Sequence, residues 1–220
     1  MKNIQKLKFE TIIFDLDGTL TDSAEGIINS LTYALNAKGL PVPPEKVLRS
    51  KIGPPLEESF LEFGVSPGEV TGAIELFREY YAEKGIYENK TYPGVEDCLK
   101  TLKASGARLA VATTKSEKFA KKIISRFYLD KYFEFLAGSN IDGSRTEKSE
   151  LIAFALQNLG VKAGKNAVMV GDRFHDIAGA KKAGVSSAGV LYGYGGREEL
   201  ISAGADILVP EAAMLATLLT

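Results

Sequence analysis

Two aspartates one residue apart, Asp15 and Asp17, close the apolar run Ile12-Ile13-Phe14 and are followed at once by Gly18-Thr19. Carboxylates held that close repel unless a cation or a proton lies between them. The pair therefore points to a divalent metal or to an acid/base couple. Three other stretches carry polar residues of the same kind of promise. Thr113-Thr114-Lys115 follows Leu109-Ala110-Val111-Ala112, Lys148 opens a helical stretch after the loop Gly138 to Arg145, and Gly171-Asp172-Arg173-Phe174-His175-Asp176 follows Ala167-Val168-Met169-Val170. Brought together, several carboxylates need a cation. Mg²⁺ takes oxygen ligands and is commonly shared between one or two carboxylates and a substrate phosphate. A lysine and a threonine hydroxyl suit the oxygens of a phosphoryl group. A remaining carboxylate can attack phosphorus, a known use of aspartate as a nucleophile.

The elements that must position these groups alternate. Ile12 to Phe14, Arg108 to Ala112, Phe133 to Ala137, Asn166 to Val170, Ser186 to Leu191 and Asp206 to Val209 read as strands, with helical periodicity between them. That rhythm predicts an α/β fold, a Rossmann-like parallel sheet with helices on both faces. Ligands bind such sheets at the carboxyl ends of the strands, where all four polar stretches fall. From Asp22 to Asn89 the pattern is helical, with no convincing strand. Residues 1–21 and 90–220 are therefore expected to form the core, and 22–89 a small all-helical insert. Ser66-Pro67 is expected to open a helix through Tyr81, and Ser116 to cap one running to Arg126.

Asp15-Leu16-Asp17-Gly18-Thr19, the strand ending in Thr113, Lys148, and Gly171-Asp172 with Asp176 resemble, in this order, the four motifs of the haloacid dehalogenase superfamily. The helical insert is similar to that superfamily's small cap domain. Ile52-Gly53-Pro54-Pro55-Leu56 and Gly138-Ser139-Asn140-Ile141-Asp142-Gly143 resemble a phosphoglycolate phosphatase-like branch, parts of which are labelled 5′-nucleotidase. The resemblance implies roles. Asp15 is the nucleophile, and Asp17 protonates the leaving alcohol and then activates water. Thr113, Thr114 and Lys148 hold the phosphate. Asp15, the backbone carbonyl of Asp17, and Asp172 bind Mg²⁺, with Asp176 as a ligand or just outside. The second acid, Asp17, favours phosphate chemistry, since the family's dehalogenases lack it. Relatives often carry Asn or Ser where Thr114 stands. The function implied is a Mg²⁺-dependent phosphomonoester hydrolase acting on a small phosphorylated metabolite of the phosphoglycolate or nucleotide type. A phosphosugar mutase, an inorganic pyrophosphatase and a non-catalytic regulatory protein on the same fold are the rivals.

Composition removes other classes. Lys plus Arg is 27 against 28 Asp plus Glu, a net charge of -1, which gives no nucleic-acid footprint. The lone Cys98 and lone His175 exclude an intrachain disulfide and a His-rich metal site. An EF-hand loop starting at Asp15 would need Glu at its twelfth position, where Gly26 stands. Met1 to Glu10 is charged and does not read as a signal peptide, and no apolar run spans a bilayer, so a cytoplasmic protein without membrane association is expected. His175, Arg145, Arg173, Arg49 and Lys51 are weaker candidates, each as easily an ordinary surface residue, and Cys98 reads as core.

Overall fold

The computed structural model describes residues 8–140 and 145–220. The Ile141-Asp142-Gly143 part of the branch-specific segment, and most of the leading stretch Met1 to Glu10, lie outside the described residues. The chain forms two compact units, one of residues up to Leu20 together with Thr91–Thr220, the other Thr21–Lys90.

In chain order the first elements are β1 (Thr11–Phe14), β2 (Thr21–Asp22), α1 (Ala24–Ala37), α2 (Glu45–Ser50), α3 (Leu56–Glu62), α4 (Val70–Tyr80) and β3 (Lys90–Thr91). Next come α5 (Val95–Ala104), β4 (Arg108–Ser116), α6 (Glu117–Arg126), β5 (Phe135–Ser139), α7 (Lys148–Leu159) and β6 (Ala167–Gly171). The last are α8 (Phe174–Ala183), β7 (Ser186–Val190), α9 (Arg197–Ala203), β8 (Ile207–Val209) and α10 (Leu215–Leu219).

Six strands make one parallel sheet in the order β5-β4-β1-β6-β7-β8. The chain builds outward from β1 to one side, then returns to build on the other. That reversal puts β1 at the switch point, where an open α/β sheet leaves a crevice at its carboxyl edge. Both faces of β1 are buried, which is why it reads as an unbroken apolar run rather than an alternating one. Ile13, with Ala110 and Ala112 of β4 and Met169 of β6, packs against Leu151, Ile152 and Ala155 of α7 and Ala180 of α8. Ile12, Phe14, Val111 and Val170, which alternate with these, are fully buried as well.

Thr21–Lys90 is helical apart from its two ends, where β2 and β3 form a two-stranded sheet. Its core comes from Ile27, Leu31, Ala34 and Leu35 of α1 and Ala73 and Phe77 of α4. Pro67 opens a 3₁₀ turn, Pro67–Glu69, before α4 begins at Val70. Ser66 does not cap it: its hydroxyl donates to Glu69 at 2.7 Å instead. A π-helical turn, Tyr81–Gly85, continues α4. No helix among the described residues is long and apolar enough to cross a membrane.

Candidate active site

Register places the polar groups. Phe14 lies opposite Val111 of β4 and Val170 of β6. One step further along all three strands stand Asp15, Ala112 and Gly171, and the next residues on the flanking strands are Thr113 and Asp172. The Asp15 amide donates to the Val170 carbonyl at 2.8 Å, so the pairing holds to the very point where the aspartate emerges. The chain then turns through Gly18 at φ +80°. A Cβ there would stand 2.3 Å from Asp172 Oδ2, so only glycine fits on both counts. Gly171 is required for a similar reason, since a Cβ would lie 2.1 Å from the Asp176 carboxyl carbon.

Lys148 is the hub. Its ammonium lies 3.0 Å from Asp15 Oδ1 and 2.8 Å from Asp176 Oδ1, and donates to the Ala112 carbonyl at 3.2 Å. The Leu16 amide donates to Asp15 Oδ1 at 2.8 Å. Asp172 is completely buried; it accepts from the Tyr194 amide at 2.7 Å on Oδ2 and from the Thr19 hydroxyl at 3.4 Å on Oδ1. Asp176 Oδ2 accepts from the Arg173 amide at 3.0 Å. Carboxylate oxygens of Asp15, Asp172 and Asp176 all lie within 4.8 Å of one another, the group among the described residues best suited to a metal.

Asp17 behaves differently. Its carboxylate is not in that group: Oδ2 accepts from Lys115 Nζ at 2.7 Å. Thr113 is buried, one residue beyond the carbonyl that Lys148 holds, and its hydroxyl accepts from the Lys115 amide at 3.2 Å. Thr114 follows it, half-buried.

Electrostatics follow from this packing. Burial pushes the Asp15 carboxyl up to about 6, with the Lys148 charge opposing and Asp176 reinforcing the rise. Asp172 is raised well above the usual carboxylate range, again by burial first and then by Asp176 and Asp15. Burial works against the Lys148 charge, yet its two carboxylate neighbours outweigh burial and raise it. One ammonium thus stands against a group of three buried carboxyls, touching two of them, and the excess negative charge calls for a further cation or for protons. Oxygen donors alone, packed this closely, suit a hard divalent ion.

Three of the weaker candidates have structural employment. The Arg145 guanidinium lies 4.0 Å above the Phe154 ring, Arg173 Nε donates to Glu199 at 2.9 Å, and Lys51 pairs with Glu62. Cys98 is buried, and burial pushes its thiol up to about 12. Sequence reading assigned no role to Lys115, Tyr194 or Tyr192, whose hydroxyl donates to the Thr19 carbonyl at 3.0 Å. The glycine-rich run Tyr192-Gly193-Tyr194-Gly195-Gly196 after β7 was the available signal for the last two.

Residues 12–190 match the family model for haloacid dehalogenase-like hydrolases. The chain belongs to that family. Among its relatives, a 5′-nucleotidase of Pseudomonas aeruginosa is 40% identical over 195 residues, 88% of each chain. Tyrosine-protein kinase PtkA of Mycobacterium tuberculosis is 39% identical over 206 residues, 94% of this chain and 70% of that protein. A crystal structure named as a predicted phosphatase from Clostridium acetobutylicum superposes with a TM-score of 0.90 at 42% identity, covering 95% of this chain and 97% of the other. The family's hydrolytic chemistry is thus matched by an acidic cluster at the sheet's carboxyl edge.

Proposed function

We propose that this chain is a Mg²⁺-dependent phosphatase that hydrolyses a small phosphorylated metabolite, of the nucleotide or phosphoglycolate type, through a phospho-aspartate on Asp15. The observation that carries the reading is the Lys148 ammonium standing between Asp15 and Asp176, with Asp172 completing the carboxylate group. Asp15 Oδ1 is occupied by Lys148 and the Leu16 amide, which fixes the carboxyl group and leaves Oδ2 for attack.

In the first step Asp15 Oδ2 bonds to phosphorus as the bond to the leaving oxygen breaks, and Asp17 gives that oxygen a proton. In the second, Asp17 takes a proton from water as the water oxygen bonds to phosphorus, and the bond from phosphorus to Asp15 breaks. Lys148 and the Thr113 and Thr114 hydroxyls hold the phosphoryl oxygens. Asp15, Asp172 and the Asp17 carbonyl would hold the ion, with Asp176 alongside. Bound there, Mg²⁺ would offset the carboxylate charge and that of the phosphoryl oxygens.

The test is phosphate release from nucleoside 5′-monophosphates, phosphoglycolate, sugar phosphates and pyrophosphate, with Mg²⁺ and with chelator. Hydrolysis of monoesters that stops on chelation is expected. Activity indifferent to chelation would overturn the metal assignment, and preference for pyrophosphate would overturn the substrate class. The likeness to PtkA supports a second reading, transfer to a tyrosine hydroxyl. Labelling of a tyrosine peptide from ATP, without matching hydrolysis of monoesters, would favour it.

A further inference from the structure

The strand β4 does not stop where its apolar run ends. It continues to Ser116, with a register shift against β5 between Thr113 and Ser116. That irregular stretch carries Lys115, and the Thr113 hydroxyl accepts from its amide. Its ammonium donates to Asp17 Oδ2 at 2.7 Å, with only 9% of the lysine and 15% of the aspartate side chain exposed. A solvent-exposed ion pair would orient its partners little. Here both side chains are largely enclosed, so the pair fixes the rotation of the carboxyl group. The other oxygen, Asp17 Oδ1, is buried and has no hydrogen-bond partner among the described residues. The two aspartates thus each answer to their own lysine, Asp15 to Lys148 and Asp17 to Lys115.

We infer that Lys115 is the positioning residue of the acid/base: by clamping Asp17 Oδ2 it presents Oδ1 as the atom that gives and takes the proton. The inference rests on the proposed role of Asp17 and adds the group that aims it. Misplacing a catalytic group by about 1 Å can cost about 100-fold, so the clamp has leverage although it touches no reacting atom.

Leaving groups separate this from a merely structural role and from direct phosphate binding. An aryl ester such as p-nitrophenyl phosphate departs as a stable anion and needs no proton. An alkyl ester such as phosphoglycolate does need one. The ratio kcat/KM covers only events up to departure of the leaving group, and so excludes hydrolysis of the phospho-aspartate. In Lys115→Met, kcat/KM for the alkyl ester should fall about 10-fold or more, while that for p-nitrophenyl phosphate stays within about 3-fold of wild type. Lys115→Arg, which keeps a donor and the charge, should recover most of the loss. In an Asp17→Asn background, Lys115→Met should produce no additional leaving-group selectivity, because partners in one device are non-additive. If the methionine variant does not fold, Lys115→Gln carries the same comparison. An equal loss with both esters, or a selective loss that persists without the Asp17 carboxyl, overturns the inference. A wild-type protein that hydrolyses neither p-nitrophenyl phosphate nor any alkyl monoester, nucleoside 5′-monophosphates included, overturns the phosphatase reading itself, a distinct result.

Discussion

The two flanks of β1 are built from opposite chemistry. On the β4 side the chain delivers Thr113, Thr114 and Lys115, and α7 adds Lys148 from the same half of the sheet. On the β6 side it delivers Asp172 and, one turn into α8, Asp176. Between them β1 presents two aspartates that share a side chain and little else. Asp15 is enclosed by acids and one lysine, and burial raises it to about 6. Asp17 sits against Lys115, outside the acidic group. The difference shows how a parallel sheet divides labour. One flank gathers anionic oxygens that can hold a cation; the other gathers Thr113, Thr114 and Lys148, donors that can hold an anion, and sets Lys115 against Asp17, with the middle strand between them.

The largest expected effect comes from the middle. Asp15→Asn should lower kcat by about 10⁴-fold or more, as loss of a nucleophile does, with the circular dichroism spectrum unchanged. Near wild-type turnover of p-nitrophenyl phosphate by this variant would remove the nucleophile assignment. Next come variants that separate the flanks. Asp172→Asn should weaken apparent Mg²⁺ affinity by at least about 10- to 100-fold, the size of effect seen when even a supporting partner of a metal site is lost. Inhibition by inorganic phosphate should change little. Lys148→Met should do the reverse, weakening inhibition by phosphate while Mg²⁺ affinity holds or tightens. It should also lower stability by about 3–5 kcal/mol, because Asp15 and Asp176 lose their buried counter-charge. If both variants shift both constants equally, the division between flanks is wrong.

The smallest expected effect is on stability against pH. Burial raises the Asp15 carboxyl from 3.8 to about 6, and Asp172 is raised too. The folded state therefore favours the protonated forms. That contribution is complete below the unfolded value and is lost as pH rises through about 6. Thermal melting of the metal-free protein should show Tm falling across that window, and saturating Mg²⁺ should abolish the fall. A metal-free Tm that rises through pH 6 would mean that these carboxyl groups are better solvated than their packing implies.

Much of this architecture was readable in the chain. The apolar run before Asp15 has no polar alternation because β1 is covered on both faces, and buried strands write themselves that way. The four polar stretches each end a strand or open a helix, so the parallel sheet brings their backbones to one edge. What was not readable depends on contacts far apart in sequence. Lys115 looks like any lysine after a strand until the β1–β4 register sets it against Asp17. The Tyr194 amide binds Asp172 through a backbone atom, which leaves no trace in residue type beyond the neighbouring glycines. Local capping rules also misled. Ser116 occupies the N-cap of α6, but its buried hydroxyl makes no capping bond, and Ser66 spends its hydroxyl on Glu69. The Ser66 hydroxyl had a competing acceptor three residues on, whereas that of Ser116 is buried with no hydrogen-bond partner among the described residues.

The most direct test asks where the phosphoryl group goes. Wild-type enzyme turning over a monoester with Mg²⁺ should be quenched and treated with borohydride, which reduces an aspartyl phosphate to homoserine, and its peptides sequenced by mass spectrometry. Conversion at Asp15, dependent on substrate and on Mg²⁺, is the outcome expected. Conversion at Asp17, or full turnover with Asp15 never modified, would contradict the assignment of Asp15 as the attacking group.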